Sequence, residues 1–136
     1  MKILGVDFGD SRTGYAISDI LGFSANVLDA FKCRSLDGVA QHTAELAKEL
    51  GAEKIILGYP KNMNGTIGPR AEKAQILSEE IKKLIDIPVI LWDERLTTVS
   101  AHNLMNETNV RGQKRKDSVD SISAAYILQG YLDSIK

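Results

Sequence analysis

Three carboxylates at the ends of different apolar segments are the residues of this chain whose types could do chemistry together. Asp7 closes the run Ile3-Leu4-Gly5-Val6, and Asp93-Glu94 follows Pro88-Val89-Ile90-Leu91-Trp92. Asp120 opens a helical stripe that Ala124, Ile127 and Tyr131 continue. A charge at the end of a buried strand is costly unless it finds a partner or neutralises. Gathered in one place, Asp7, Glu94 and Asp120 would repel, because two carboxylates about 4 Å apart cost about 4 kcal/mol at an effective dielectric near 20. A hard divalent cation, Mg²⁺ or Mn²⁺, removes that cost, takes oxygen ligands and keeps waters that a substrate phosphate can replace. One ion, or a pair roughly 3.5 to 4 Å apart, can activate water and stabilise the leaving oxygen of an in-line phosphodiester displacement. The three acids therefore predict a metal-dependent phosphodiesterase, with Asp7, Glu94 and Asp120 as catalytic residues and metal ligands. Asp117, three residues before Asp120 on the same helix face, either joins that ligand set or caps the start of the helix. Alone, Asp7-Phe8-Gly9 would read as an acid capping a turn; the acids downstream favour a site.

The elements that must position these groups follow from the hydrophobic pattern. Ile3 to Phe8 and Gly14 to Asp19, separated by a polar turn, predict a β-hairpin. Ala25 to Lys32, of mixed polarity, predicts a third antiparallel strand near an edge. Ser35 offers an N-cap to a helix whose stripe runs Leu36, Val39, Ala40, Thr43, Leu46, Ala47, Leu50 and ends at Gly51. His42 lies off that stripe and is expected on the solvent side, without a role. Lys54 to Gly58 predicts a strand buried on both faces, followed by a loop to Gly68. Pro69 starts a second helix carrying Ala74, Leu77, Ser78, Ile81, Leu84 and Ile85. Pro88 to Trp92 predicts another buried strand. A short helix is expected from Thr97 or Thr98, then a polar break from Asn106 to Asp117, then a last helix from about Ser118 to Ile135. Strands alternating with helices demand parallel pairing, so the fold class is α/β. The expectation is a mixed five-stranded sheet, three antiparallel strands then parallel ones, with helices on both faces of a single domain spanning residues 1–136. Sites in such sheets collect beyond the carboxyl ends of the strands.

Composition sets the limits. In 136 residues, 43% are hydrophobic and 26% charged, which is ordinary for a soluble globular chain, and no apolar run is long enough to span a membrane. Cys33 is the sole cysteine, which excludes an internal disulfide and a thiolate zinc site and fits a cytoplasmic location. With only His42 and His102, a Ser-His-acid hydrolase is poorly supported. A formal net charge of −1 says nothing about a polyanionic partner, since local clusters do the steering. Such clusters exist. Arg12 and Arg95 sit beside the acids and could grip nonbridging phosphate oxygens, or pair with the acids themselves. Lys61, Asn62, Asn64 and Arg70, with Arg111, Lys114, Arg115 and Lys116, could follow a nucleic-acid backbone or remain a solvated surface.

Four blocks in order carry a resemblance as well. They are Asp7-Phe8-Gly9 with Arg12, Gly14, Ala16 and Ser18-Asp19; Gly58-Tyr59-Pro60 with Asn62-Met63-Asn64-Gly65-Thr66; Asp93-Glu94-Arg95-Leu96-Thr97-Thr98; and Val119-Asp120 with Ala124 and Ile127-Leu128-Gln129. Over essentially its whole length the chain resembles the YqgF family, also called RuvX and, by an older name, Holliday junction resolvases. The resemblance implies an RNase H-like fold and a cytoplasmic bacterial nuclease acting on structured nucleic acid, with Asp7, Glu94 and Asp120 as its catalytic acids. It also implies maturation of the 5′ end of the 16S rRNA precursor, with resolution of branched DNA as the alternative and non-catalytic RNA binding as a second. A homodimer is compatible with it, and a membrane partner is not. Ser11 stands where relatives often have Lys, and Ser123 where they often have Ala. Asp-x-Gly also resembles the phosphate loop of the actin and hexokinase superfamily, but those proteins close two such domains around a nucleotide.

Overall fold

The computed structural model describes residues 2–19, 21, 24–60, 67–93 and 112–135, with side chains in the last segment from 121 onward. At its centre is β1 (Ile3–Phe8), paired antiparallel with β2 (Arg12–Ser18) and parallel with β5 (Lys54–Tyr59). Beyond β5 lies β6 (Val89–Asp93), also parallel. On the other side, β2 pairs with β3 (Ala25–Val27) and with β4 (Phe31–Lys32), giving the order β3-β2-β1-β5-β6 with β4 beside β2.

Strand alternation splits the core into two layers. Leu4 and Val6 of β1, Ile55 and Leu57 of β5, and Tyr15 of β2 face α1 (Leu36–Leu50) and α2 (Pro69–Leu84), which bury Val39, Ala40, Ala47, Ala74, Leu77 and Ile81 against them. Ile3, Ala16 and Ile56 face the opposite way, onto Ala124, Ile127 and Leu128 of α3 (Gly112–Ser134). Caps bound α1 as the pattern requires. Ser35 Oγ accepts from the Gly38 amide at 3.2 Å, and Gly51 adopts a left-handed φ of 70° that an L side chain would strain. Pro69 occupies the first turn of α2. Among the described residues no helix is long and apolar enough to cross a membrane.

The α/β class and its mixed sheet with helices on both faces stand as the pattern indicates, with three local differences. The expected third strand is two short ones, so among the described residues the sheet has six strands. Three steps along β2, from Thr13 to Ala16, face four on the partner, from Phe31 back to Val27, which is a one-residue bulge. Past the bulge, β4 stays tied to the hairpin turn through the Cys33 amide on the Ser11 carbonyl at 3.0 Å. The last helix begins at Gly112 instead of Ser118. Gln113, Lys114, Arg115 and Lys116 are good helix formers, but polar residues carry no hydrophobic period, so the pattern starts only at Val119. His42 is half-buried, not solvent-facing. It stacks on Phe31 at a centroid distance of 3.9 Å and tilts against Tyr15 at 5.5 Å. The expected short helix near Thr97 lies outside the described residues.

Two substitutions probe this packing. A Cβ at Gly5 would lie 2.8 Å from Leu128 Cβ and 2.9 Å from the Ala124 carbonyl oxygen. Gly5→Ala should therefore lower the unfolding free energy by about 1 to 3 kcal/mol in urea denaturation. Burial pushes the Tyr15 phenol up to about 12, while its hydroxyl shares a 2.7 Å hydrogen bond with Thr43 Oγ1. An unfolded tyrosine ionises near 10, so this stabilisation is complete below about pH 10 and is lost as pH rises through about 12. Stability should fall across that window by a few kcal/mol, at most about 3, and Tyr15→Phe should flatten most of the drop.

Candidate active site

Asp7 is half-buried near the carboxyl end of the central strand. Alternation puts it on the same face as Ile3 and Gly5, the face that α3 covers. Its partner across the antiparallel ladder is Gly14. On the parallel side, one residue beyond the Val6–Leu57 pair, stands Gly58, which is itself paired with Trp92. One row across the sheet thus reads Gly14, Asp7, Gly58, Trp92, and neither glycine carries a side chain over the acid. Arg12, two residues before Gly14 in β2, is half-buried and shares that face by the same alternation.

The turn that returns the chain from β1 to β2 is tight. Any side chain at Gly9 would collide with the Arg12 carbonyl oxygen. Asp10 at its tip meets Lys73 of α2 at 3.5 Å, but both side chains are largely exposed and the pair holds little energy.

α3 runs antiparallel to β1 across the Asp7 face. Near its far end, Lys54 Nζ donates to Tyr131 Oη at 3.2 Å, and Lys54 is the residue paired with Ile3. Tyr131 also meets Trp92 edge-on at 5.9 Å, so Trp92 packs at the rim of the second core as its place in a buried strand suggests. Further along, the helix touches Gly5 through Ala124 and Leu128. Asp7 lies two residues past Gly5, about 6.6 Å along the strand. Position 120 lies one turn before Ala124, about 6 Å along the helix. Backbone register therefore sets position 120 level with Asp7. Its neighbour Ser121, fully buried, accepts from the Tyr15 amide at 3.4 Å.

Asp117 is the sixth residue of α3, and no acid stands in the first turn, so the capping alternative for Asp117 is overturned. The earlier helix start also carries Lys114, Arg115 and Lys116 into the first turns of α3. Arg70 is exposed in the first turn of α2, in the layer opposite α3, so the structure does not bring it onto the Asp7 face. Asp93 ends β6 opposite Tyr59, two strands and about 10 Å from β1. Glu94, Arg95, Lys61, Asn62, Asn64 and Arg111 lie outside the described residues, as do the side chains of Lys114, Arg115, Lys116, Asp117 and Asp120. Among the described residues no three His, Cys, Asp or Glu side chains converge.

Two contributors escape a reading of the sequence: Gly5, which admits the helix, and Ser121, which holds it. A glycine inside an otherwise apolar strand is the one available signal, since it marks close approach of another backbone. A groove of about 490 Å³ between α2 and β6, lined by Ser78, Lys82, Val89 and Leu91 among others, opens on the opposite face from Asp7.

Solved structures align with the whole chain. T. thermophilus RuvC in complex with a Holliday junction substrate superposes with a TM-score of 0.65 at 11% identity, covering 100% of this chain and 97% of that one. Fowlpox virus resolvase with Holliday junction DNA gives 0.60 at 16%, covering 99% of each. At these identities the likeness is one of fold alone, the RNase H-like fold. The family model RuvX, described as Holliday junction resolvase, matches residues 1–134. A Ruminiclostridium cellulolyticum protein named "Putative pre-16S rRNA nuclease" is 48% identical over 136 residues, 99% of this chain and 96% of that one. The chain belongs to the RuvX family, and its activity is that of a hydrolase of the nuclease type. Many nucleases cut phosphodiester bonds with the help of divalent metal ions.

Because Gly9 has no room for a side chain, Gly9→Ala should force the β1–β2 turn open and displace Asp7 and Arg12 together. The expected result is a loss of more than about 1 kcal/mol in stability, read by urea denaturation.

Proposed function

We propose that the chain hydrolyses phosphodiester bonds in the 5′ region of precursor 16S rRNA in the cytoplasm, with Asp7, Glu94 and Asp120 holding one or two Mg²⁺ or Mn²⁺ ions. The observation that carries this reading is the placement of Asp7. It is a half-buried acid near the end of the central strand, flanked in the sheet by Gly14 and Gly58 and level with position 120 of α3. Such a place fits a hard cation. The donors are all carboxylate oxygens, and the glycines leave room beside Asp7 that larger side chains would fill. When bound, the ion supplies Lewis acidity and a water acidified enough to attack at neutral pH.

The chain's own residues supply the rest. Asp7, near the rigid centre of the sheet, fixes the position of the scissile phosphate, and Arg12 on the same face supplies a guanidinium for its nonbridging oxygens. Asp117, one turn from Asp120, adds a further oxygen donor. Lys114, Arg115 and Lys116 in the first turns of α3 present positive charge where the helix dipole is already positive, an arrangement that a polyanion relieves. Lys61, Asn62, Asn64, Arg95 and Arg111 extend that contact along the backbone, and Arg70, on the opposite layer, takes no part in it.

Two features support RNA: the name of the 48% identical relative and that relative's near-complete overlap with this chain. The description of the family model supports a second reading, four-way DNA junctions, with the chain acting as a homodimer on a two-fold symmetric substrate.

Cleavage of matched precursor rRNA and four-way junction substrates, each with Mg²⁺, Mn²⁺ or EDTA, separates these readings. RNA should be cut and the junction spared, with EDTA stopping the reaction. Asp7→Asn removes charge and little volume, so it should abolish cleavage while leaving the melting temperature and RNA affinity nearly unchanged. A variant that cuts as fast as the parent removes Asp7 from the metal set, and tight RNA binding with no metal-dependent cleavage would establish a non-catalytic binding factor instead.

A further inference from the structure

We infer that Ser121 is a positioning residue, which locks the acid-bearing turn of α3 to the hairpin that carries Asp7; the inference rests on the proposed role of Asp7 and Asp120. It follows from the bulge in the sheet edge. Tyr15 accepts from the Leu28 amide through its carbonyl at 2.9 Å, so its own N–H points to the same side of β2. In a regular antiparallel pair Leu28 would return that bond through its carbonyl. The extra residue between β3 and β4 interrupts the ladder there, and the Tyr15 amide bonds instead to Ser121 Oγ at 3.4 Å. Tyr15 and Ser121 are both completely buried, so water cannot replace the hydroxyl. Losing it would strand a backbone donor in the interior.

The location gives this bond its consequence. Tyr15 is paired with Val6, directly before Asp7, and follows Gly14, the partner of Asp7. Ser121 directly follows Asp120. A single hydrogen bond thus joins the neighbours of the two acids. The helix is already seated on β1 by Ala124 and Leu128 at Gly5 and on β3 by Gln129 Oε1, which accepts from the Ala25 amide at 3.1 Å. Those contacts lie toward its middle and far end. Ser121 is the described contact nearest Asp120, and it sets that turn against the strand.

The test compares the parent with Ser121→Ala and Ser121→Cys, the second keeping the volume with only a weak acceptor. Asp120→Asn is run beside them on precursor rRNA under single-turnover conditions. In metal-free protein the Tyr15 amide should exchange its hydrogen at least about ten-fold faster in both Ser121 variants. The maximal cleavage rate should fall about 10- to 100-fold and half-saturation should move to higher Mg²⁺, while RNA affinity stays within about two-fold. A general loosening of the fold would not shift the Mg²⁺ dependence while sparing RNA affinity. If one variant does not fold, the other is judged on the same readouts. Unchanged Tyr15 exchange, or parental rate and Mg²⁺ dependence alongside an inactive Asp120→Asn, overturns the role of Ser121. Full activity in Asp120→Asn overturns instead the reading of the site on which that role rests.

Discussion

The close approach of α3 to the central strand at Gly5 is the constraint on which the rest of the molecule depends. A helix laid on a sheet normally keeps the distance that its side chains dictate. Here the space above β1 holds Leu128 and the Ala124 carbonyl where a Cβ would otherwise be. That contact sets both the height and the register of α3, and register decides which helix positions stand over the end of β1. The second core, from Ile3 and Ile56 to Ile127 and Leu132, closes around it.

The same economy of side chains recurs one step along the strand. Gly14 and Gly58 flank Asp7 just as the sheet passes from apolar core to the outer end of the fold. A half-buried carboxylate there must be balanced by a partner, since it sits partly out of water. A hydrogen-bond donor, a guanidinium or a cation can each balance such a group, and the proposed cation would also act on phosphate esters.

The sheet edge supplies a different kind of control. Splitting the edge strand into β3 and β4 bends it and releases one backbone donor, which α3 then satisfies. On the other face, Phe31 from β4 stacks on His42, and Tyr15 bonds to Thr43, so α1 is joined to the hairpin through an aromatic and hydroxyl cluster and not by aliphatic contact alone. The hairpin bearing Asp7 is therefore held from both sides.

Much of this is legible in the chain before it folds. The continuous apolar run from Ile3 to Val6, the 3.6 period from Leu36 to Leu50 and the caps at Ser35 and Gly51 are local, so they name strands, helices and their limits without knowledge of neighbours. The candidate acids are legible too, because a carboxylate at the end of an apolar run is anomalous wherever it occurs. Where α3 begins is less so, since Gln113 to Lys116 form helix without an apolar stripe to betray it. Tertiary structure alone decided that the third strand breaks at a bulge, that His42 turns inward onto Phe31, that Gly5 admits a helix and that Ser121 answers an amide 106 residues away. Each of those depends on what another part of the chain brings to the same place, and local pattern holds no information about distant partners.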